Sequence, residues 1–224
     1  MQIKNFTFKF KKEPDWLFHN LNINFSSEKI NVIIGPNGIG KSTLLDFIAD
    51  ADDNRNNKIF EDFPRRERIA YQLQGVPFIG QTTVKKTIDM LLQIDGNDNV
   101  QRENPDYIAR IYPKKMSELS GGQRRLVVIY GISLLDRDLY LFDEPESGLD
   151  PEMSKKVISL IGDIQKSGKK VIMTTHQFSN MSDEQQLYFL SGQRCAFVGS
   201  KTELLNLTNT DDISKSYEYL NNKY

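Results

Sequence analysis

Aromatic and polar residues alternate at the start of the chain. Phe6, Phe8 and Phe10 fall on one side of an extended segment and Asn5, Thr7 and Lys9 on the other, a period of two that predicts a half-buried β-strand. Leu21, Ile23 and Phe25 repeat the pattern after a loop at 11–14 and predict its partner. Ile30–Ile34 is almost wholly apolar, as expected of a strand covered on both faces. A glycine-rich turn, a helical stretch over 41–51 and a polar loop over 52–57 follow. Further strands are predicted at 69–73, 139–142, 171–175, 187–190 and 195–198, and helices at 84–92, 105–112, 121–135, 153–166, 201–207 and 211–222. Buried strands separated by helices predict an α/β fold. The stretch 77–118 carries helical patterns and a polar loop at 95–99 but no strand. We read it as a small helical lobe inserted into a single domain over 1–224, extending along the next helix to about 135.

Composition narrows the function classes. The chain has 224 residues, with 29 Lys and Arg against 30 Asp and Glu, a net charge of −1. That balance argues against coating nucleic acid or gripping an anionic membrane, and no direct nucleic-acid binding is expected. Cys195 has no second cysteine to pair with, and with only His19 and His176 it cannot complete a structural zinc site. A reducing cytosol is the natural compartment. The apolar run at 126–135 is interrupted by Tyr130, Gly131 and Ser133 and falls short of the roughly 20 residues that cross a bilayer. The first ten residues alternate instead of forming a signal peptide's apolar centre. We therefore expect a soluble cytoplasmic protein that reaches a membrane only through another chain. Abundant Asn, Lys and Ile with few Ala point to an AT-rich bacterial genome.

Gly35, Pro36, Asn37, Gly38, Ile39, Gly40, Lys41 and Ser42, followed by Thr43, match the pattern G-x-x-x-x-G-K-[ST] between a predicted strand and a predicted helix. Glycines let the backbone curl so that several N–H groups face one anion, and the helix start adds the positive end of its dipole. Lys41 supplies a charge for β- and γ-phosphates and Ser42 a hydroxyl for Mg²⁺. On its own, the pattern suits a kinase, a GTPase or an ATPase. A second candidate is the apolar strand that ends in Asp143 and Glu144. Paired carboxylates there would hold a cation and take a proton from an attacking water, or else cap a strand end in solvent. Ser120, followed by Gly121 and Gly122, reads as the N-cap of a second helix with open N–H groups.

Leu119-Ser120-Gly121-Gly122-Gln123 resembles the LSGGQ signature of the ATP-binding cassette (ABC) superfamily, and the chain resembles that family in order from end to end. The resemblance implies a P-loop NTPase of ABC type: a mixed central sheet with flanking helices, N-terminal antiparallel strands and an inserted small helical lobe. Residues 35–42 look like the Walker A element, 139–144 like the Walker B strand with Glu144 as catalytic glutamate, and Ser147 to Asp150 like the D-loop. His176 looks like the switch histidine that reaches the γ-phosphate. Gln74 looks like the Q-loop glutamine, with Gln72 a nearby competitor. The implied catalytic set is Lys41, Gln74, Glu144 and His176. The implied cofactors are ATP and Mg²⁺, the metal held by Ser42, Gln74 and Asp143. ATP would contact 35–43, Ser120, Gly121, Gly122, Gln123 and Asp150. Phe10 stands where the family stacks an aromatic on adenine; Trp16 is an alternative, and a core position in the first strand is the other reading of Phe10.

The resemblance also implies a head-to-tail dimer with a second nucleotide-binding subunit, identical or different, and separate transmembrane permease subunits on whose cytoplasmic face the protein sits. Glu146 stands where a threonine is common and Ile39 replaces a small P-loop residue. Neither removes a catalytic group, so an active ATPase is expected. The short stretch between Gln74 and Leu119 has no room for the long coiled coil of chromosome-type relatives. One cassette, where ribosome-acting relatives usually carry two, further favours a transport subunit over the alternative, a soluble ABC ATPase acting on an assembly scaffold, nucleic acid or the ribosome. The residues after His176 leave space for a hairpin and two helices and for no regulatory domain.

Overall fold

The computed structural model describes residues 1–50, 58–75, 80–96, 104–178 and 180–223, so the loop expected at 52–57 and most of that at 95–99 lie outside the described residues. Six strands make the main sheet, in the spatial order β5 (Ile69–Gln72), β6 (Leu139–Asp143), β7 (Lys170–Thr174), β3 (Ile30–Ile34), β8 (Gln185–Ser191) and β9 (Arg194–Gly199). All neighbours are parallel except β9, which runs antiparallel to β8. A second sheet is antiparallel, in the order β2 (Phe18–Asn24), β1 (Gln2–Phe8), β4 (Phe60–Glu61). The fold is the expected mixed α/β one.

Successive residues of the central strands enter opposite cores. Val32, Ile34, Tyr140, Phe142, Leu187 and Phe189 join one, while Ile33, Leu139, Leu141, Tyr188 and Leu190 join the other. This two-sided cover explains the continuous apolar runs, and each large side chain so buried contributes about 1.5–3 kcal/mol. The second face is covered by α1 (Lys41–Ala49), through Leu44, Leu45 and Ile48, together with the antiparallel strands. The first is covered by α4 (Gly121–Ser133), α5 (Pro151–Lys166), α6 (Lys201–Thr208) and α7 (Ile213–Lys223).

The first two strands depart from strict alternation. Ile3 pairs with Ile23 and Phe6 with Leu21, so β1 spends one extra residue; Phe8 then pairs with Phe18, so β2 spends one as well. Each extra residue is an asparagine in the left-handed region, Asn5 at φ 51° and Asn20 at φ 54°, a conformation that asparagine tolerates better than most residues. Side chains replace the lost ladder bonds: Asn22 Oδ1 accepts from Asn5 N at 3.0 Å and Thr7 Oγ1 accepts from Asn20 N at 3.0 Å. As a result Ile3 and Phe6 are both buried, and β1 stops at Phe8 with Phe10 exposed beyond it.

Residues 80–96 and 104–119 contribute α2 (Val84–Ile94) and α3 (Asp106–Ala109) and no strand of either sheet. Val84, Ile88, Ile108, Ile111 and Met116 share one core with Leu126 and Tyr130 of α4 and with the main sheet. At Gly131 an added Cβ would lie 2.5 Å from Leu91 Cδ1, so the bare backbone is what lets α2 lie close to α4. Where the sequence predicts a helix over 105–112, only one α-helical turn forms; Pro113 disfavours helical geometry at the residue before it. Conversely, α5 starts two residues earlier than predicted because Asp150 Oδ1 accepts from Glu152 N and Met153 N at 3.0 and 2.9 Å. Among the described residues no helix is long and apolar enough to cross a membrane.

Candidate functional site

The loop between β3 and α1 is built on glycine geometry. Gly35 sits at φ 153°, and a Cβ there would lie 2.5 Å from the Leu190 carbonyl oxygen. Gly40 sits at φ 101° and would meet Phe18 Cζ at 2.8 Å and Leu17 at 3.0 Å. No side chain caps α1, so its first N–H groups and its dipole face the loop. Pro36 to Gly40 are half-buried or exposed, while Lys41 is buried at 6% exposure. The Lys41 ammonium donates to the Gly35 and Pro36 carbonyls at 2.9 and 3.0 Å. Burial pulls its pKa below the ordinary value, and the charges of Glu144 and Asp143 oppose that pull. Ser42 is exposed and Thr43 half-buried at the first turn.

Asp143 closes β6 at 3% exposure. The hydroxyl of Thr174 on β7 donates to Asp143 Oδ1 at 2.6 Å and accepts from the Glu144 N–H at 2.9 Å. Glu144 takes φ 47°, a left-handed conformation that is uncommon for a non-glycine residue and clusters at functional sites. Two side chains converge on its carboxylate. Gln74 Nε2 donates to Oε2 at 2.9 Å, and His176 Nε2 lies 3.1 Å from Oε1. Burial first, and then the Lys41 charge, lower the His176 pKa from 6.5 against the pull of Glu144 and Asp143. The imidazole is therefore neutral at pH 7 and has one N–H to give. Gln72 instead lies in β5 at 3% exposure, bonded to the neighbouring Leu73 carbonyl and with its own Oε1 unpartnered among the described residues. The structure brings Gln74, and not Gln72, to Glu144.

Among the described residues no cluster of three His, Cys, Asp or Glu side chains forms a preassembled metal cage. Ser42, Asp143 and Gln74 each carry an oxygen donor of the kind Mg²⁺ accepts when phosphates and water complete its shell. Asp143, a buried carboxylate bonded to a neutral hydroxyl, fits that use.

Ser120 caps α4 as predicted: its hydroxyl accepts from Gln123 N at 3.2 Å while Gln123 Oε1 accepts from Ser120 N at 3.0 Å. A Cβ on Gly121 would meet nothing within 4 Å, and one on Gly122 would lie 3.1 Å from Leu149 Cδ2. Among the described residues no hydrogen bond joins this helix start to residues 35–43. Phe10 and Trp16 are both exposed, Phe10 standing edge-on to Phe8 at 5.0 Å and Trp16 under the Lys9 ammonium at 5.2 Å.

Two residues of this region carry no role in the sequence reading. Arg125, one turn into α4, donates to the main-chain carbonyls of Gln74, Glu144 and Ser147, the first two at 3.0 and 3.3 Å. It ties together two loops, the one after β5 and the one after β6. Glu146 is buried at 1% exposure and bonded to the segment that carries His176. Neither role has a signal in the sequence, because every one of these contacts is long-range.

The family model for the ABC transporter matches residues 18–147. The chain is 30% identical over 189 residues to the Energy-coupling factor transporter ATP-binding protein EcfA2 of Mycoplasma pneumoniae, covering 72% of this chain and 61% of that one, less than two thirds of its length. It is 29% identical over 215 residues to the Glutamine transport ATP-binding protein GlnQ of Escherichia coli, covering 86% and 88%. The solved structure of an ATP binding subunit of an ABC transporter shares the fold, with a TM-score of 0.76, 18% identity and 98% of each chain covered.

Proposed function

This chain belongs to the ABC transporter family, and on that premise we propose that it binds and hydrolyses ATP to drive transport through separate transmembrane subunits. One observation carries the catalytic part: Gln74 and His176 both reach the Glu144 carboxylate, at 2.9 and 3.1 Å. In this reading the phosphates of ATP lie in the cradle of 35–43, and Lys41 turns from the Gly35 and Pro36 carbonyls to the β- and γ-phosphate oxygens. Ser42, Asp143 and Gln74 would hold Mg²⁺, which would supply positive charge to the phosphates. Glu144 orients the attacking water, with one of its oxygens held by Gln74. The neutral His176 directs its N–H at charge developing on the γ-phosphate. Catalysis is then mainly positional and electrostatic. An exposed ring between β1 and β2, Phe10 or Trp16, stacks on adenine.

A second nucleotide-binding subunit, identical or different, completes each site head-to-tail with its own Ser120, Gly121, Gly122, Gln123 and Asp150. Support comes from the α4 start, which is open at Gly121 and unconnected to the P-loop of its own chain among the described residues. Transport is supported by the names of the relatives, which are ATP-binding proteins of transporters, and in this reading the protein sits on the cytoplasmic face of a bacterial membrane.

The test is Glu144→Gln, assayed by phosphate release and by light scattering with ATP. Turnover should fall by roughly 10²–10⁴-fold while an ATP-bound dimer accumulates. Wild-type turnover in this variant overturns the assignment. A polytopic membrane protein should co-purify with the chain from detergent-solubilised membranes; ribosomes or a soluble scaffold in its place would sink the transport half.

A further inference from the structure

Glu146 is a fully buried carboxylate whose partners among the described residues are all neutral. Thr175 Oγ1 donates to its Oε1 at 2.8 Å, and Ser154 Oγ and Asn180 Nδ2 donate to its Oε2 at 2.8 and 2.7 Å. Its main-chain carbonyl accepts from Gln177 Nε2 at 2.9 Å. A charge taken this far out of water is costly unless its lone pairs are filled. Here three donors fill them, and none brings a counter-charge.

The sequence positions of those donors give the arrangement its meaning. Thr175 and Gln177 flank His176, and the Thr175 hydroxyl also accepts from the Gln177 N–H at 2.9 Å, closing the turn that carries the imidazole. Both sides of His176 are therefore bonded to residue 146, two positions after the glutamate that His176 faces. Ser154, the third donor, lies in the first turn of α5, just beyond its N-cap Asp150.

We propose that Glu146 is a positioning residue for His176: it holds the imidazole against Glu144 and links that placement to the Ser147–Asp150 segment and the start of α5. The inference rests on the proposed ATPase reading and deepens it. The catalytic groups remain Glu144 and His176, and Glu146 acts through the loop that carries the second of them.

The experiment uses the full chain with Glu146→Ala, Glu146→Gln and Thr175→Val. Steady-state ATP turnover, equilibrium ATP binding and the imidazole signals of ¹⁵N-histidine-labelled protein are measured for each. In Glu146→Ala and Thr175→Val, kcat should fall by roughly 10–100-fold, the scale of a small misplacement of a catalytic group. ATP affinity and KM should stay within about twofold, as expected when only transition-state interactions are lost. The chain has two histidines, so His19 is an internal control: the His176 signals should move and those of His19 should not. Glu146→Gln should recover part of kcat, since its amide oxygen still accepts from Thr175. A folded Glu146→Ala or Thr175→Val with wild-type kcat, or with unmoved His176 signals, overturns the proposal. If Glu146→Ala does not fold, Thr175→Val decides alone. A wild-type chain without ATP turnover would refute the ATPase reading instead, and the histidine signals would still judge Glu146.

Discussion

Thr174 offers a quantitative test of how the two acidic residues of β6 are held. Its hydroxyl is fully buried, donates to Asp143 Oδ1 at 2.6 Å and accepts from Glu144 N at 2.9 Å. Thr174→Val keeps the shape and removes both bonds. Loss of a hydrogen bond to an ionised carboxylate costs about 1.5–3 kcal/mol, and a buried N–H left unpaired costs about 1–3 kcal/mol. The extra apolar group returns about 0.8 kcal/mol. The net expectation is a loss of about 3 kcal/mol, equivalent to roughly 6–12 °C in Tm for a chain of this size. Thr174→Ser keeps the hydroxyl and should cost no more than about 1 kcal/mol. Glu144 holds a backbone conformation that costs about 1–3 kcal/mol, so the valine variant also releases a restraint on it, and turnover should drop further than ATP affinity. Scanning calorimetry and phosphate release measure the two effects. A valine variant that melts within about 1 °C of wild type, or a serine variant that falls equally far, refutes the reasoning.

Two other expectations follow from the same region. Gly35→Ala would set a Cβ 2.5 Å from the Leu190 carbonyl oxygen at φ 153°; it should lower stability by at least about 1 kcal/mol and abolish measurable ATP binding by calorimetric titration, whereas intact binding would mean the loop absorbs the clash. His176 has a folded-state pKa below 6.5, so the unfolded chain binds its proton first as pH falls. Its contribution is fully present above pH 6.5 and is lost as pH falls through the lower folded-state value. Wild type should therefore lose stability relative to His176→Gln between about pH 7 and pH 5, and parallel denaturation curves for the two proteins across that range would contradict this.

The sequence is most informative where one residue type has one physical use. Gly35, Gly40 and Lys41 announce the cradle because few other residues allow that backbone or supply that charge. The apolar runs at Ile30–Ile34 and Leu139–Asp143 announce strands covered on two faces. Legibility fails where the cause is non-local or the element is short. β4 has two residues, too few for any period to register, and the asparagine bulges concern backbone dihedrals that hydrophobic patterning does not encode. The choice between Gln74 and Gln72 turns on where β5 ends: Gln72 is still in the strand and buried, and Gln74 is past it and free to reach Glu144. Arg125 and Glu146 look like ordinary charged residues in the chain, and only the packing of α4 and α5 against the loops reveals what they hold.

The paired bulges of β1 and β2 bear on how this part of the chain can change length. An extra residue inverts which side chains of its own strand face inward beyond it: the one at Asn5 lets Ile3 and Phe6 both be buried, and the one at Asn20 does the same for Leu21 and Phe18. Because Asn5 and Asn20 offset each other across the ladder, the two strands leave the irregular stretch in step. Insertions and deletions in this hairpin are thus subject to a parity rule: a gain or loss in one strand is tolerated when its partner changes by the same amount, and lineages that vary here should vary in pairs.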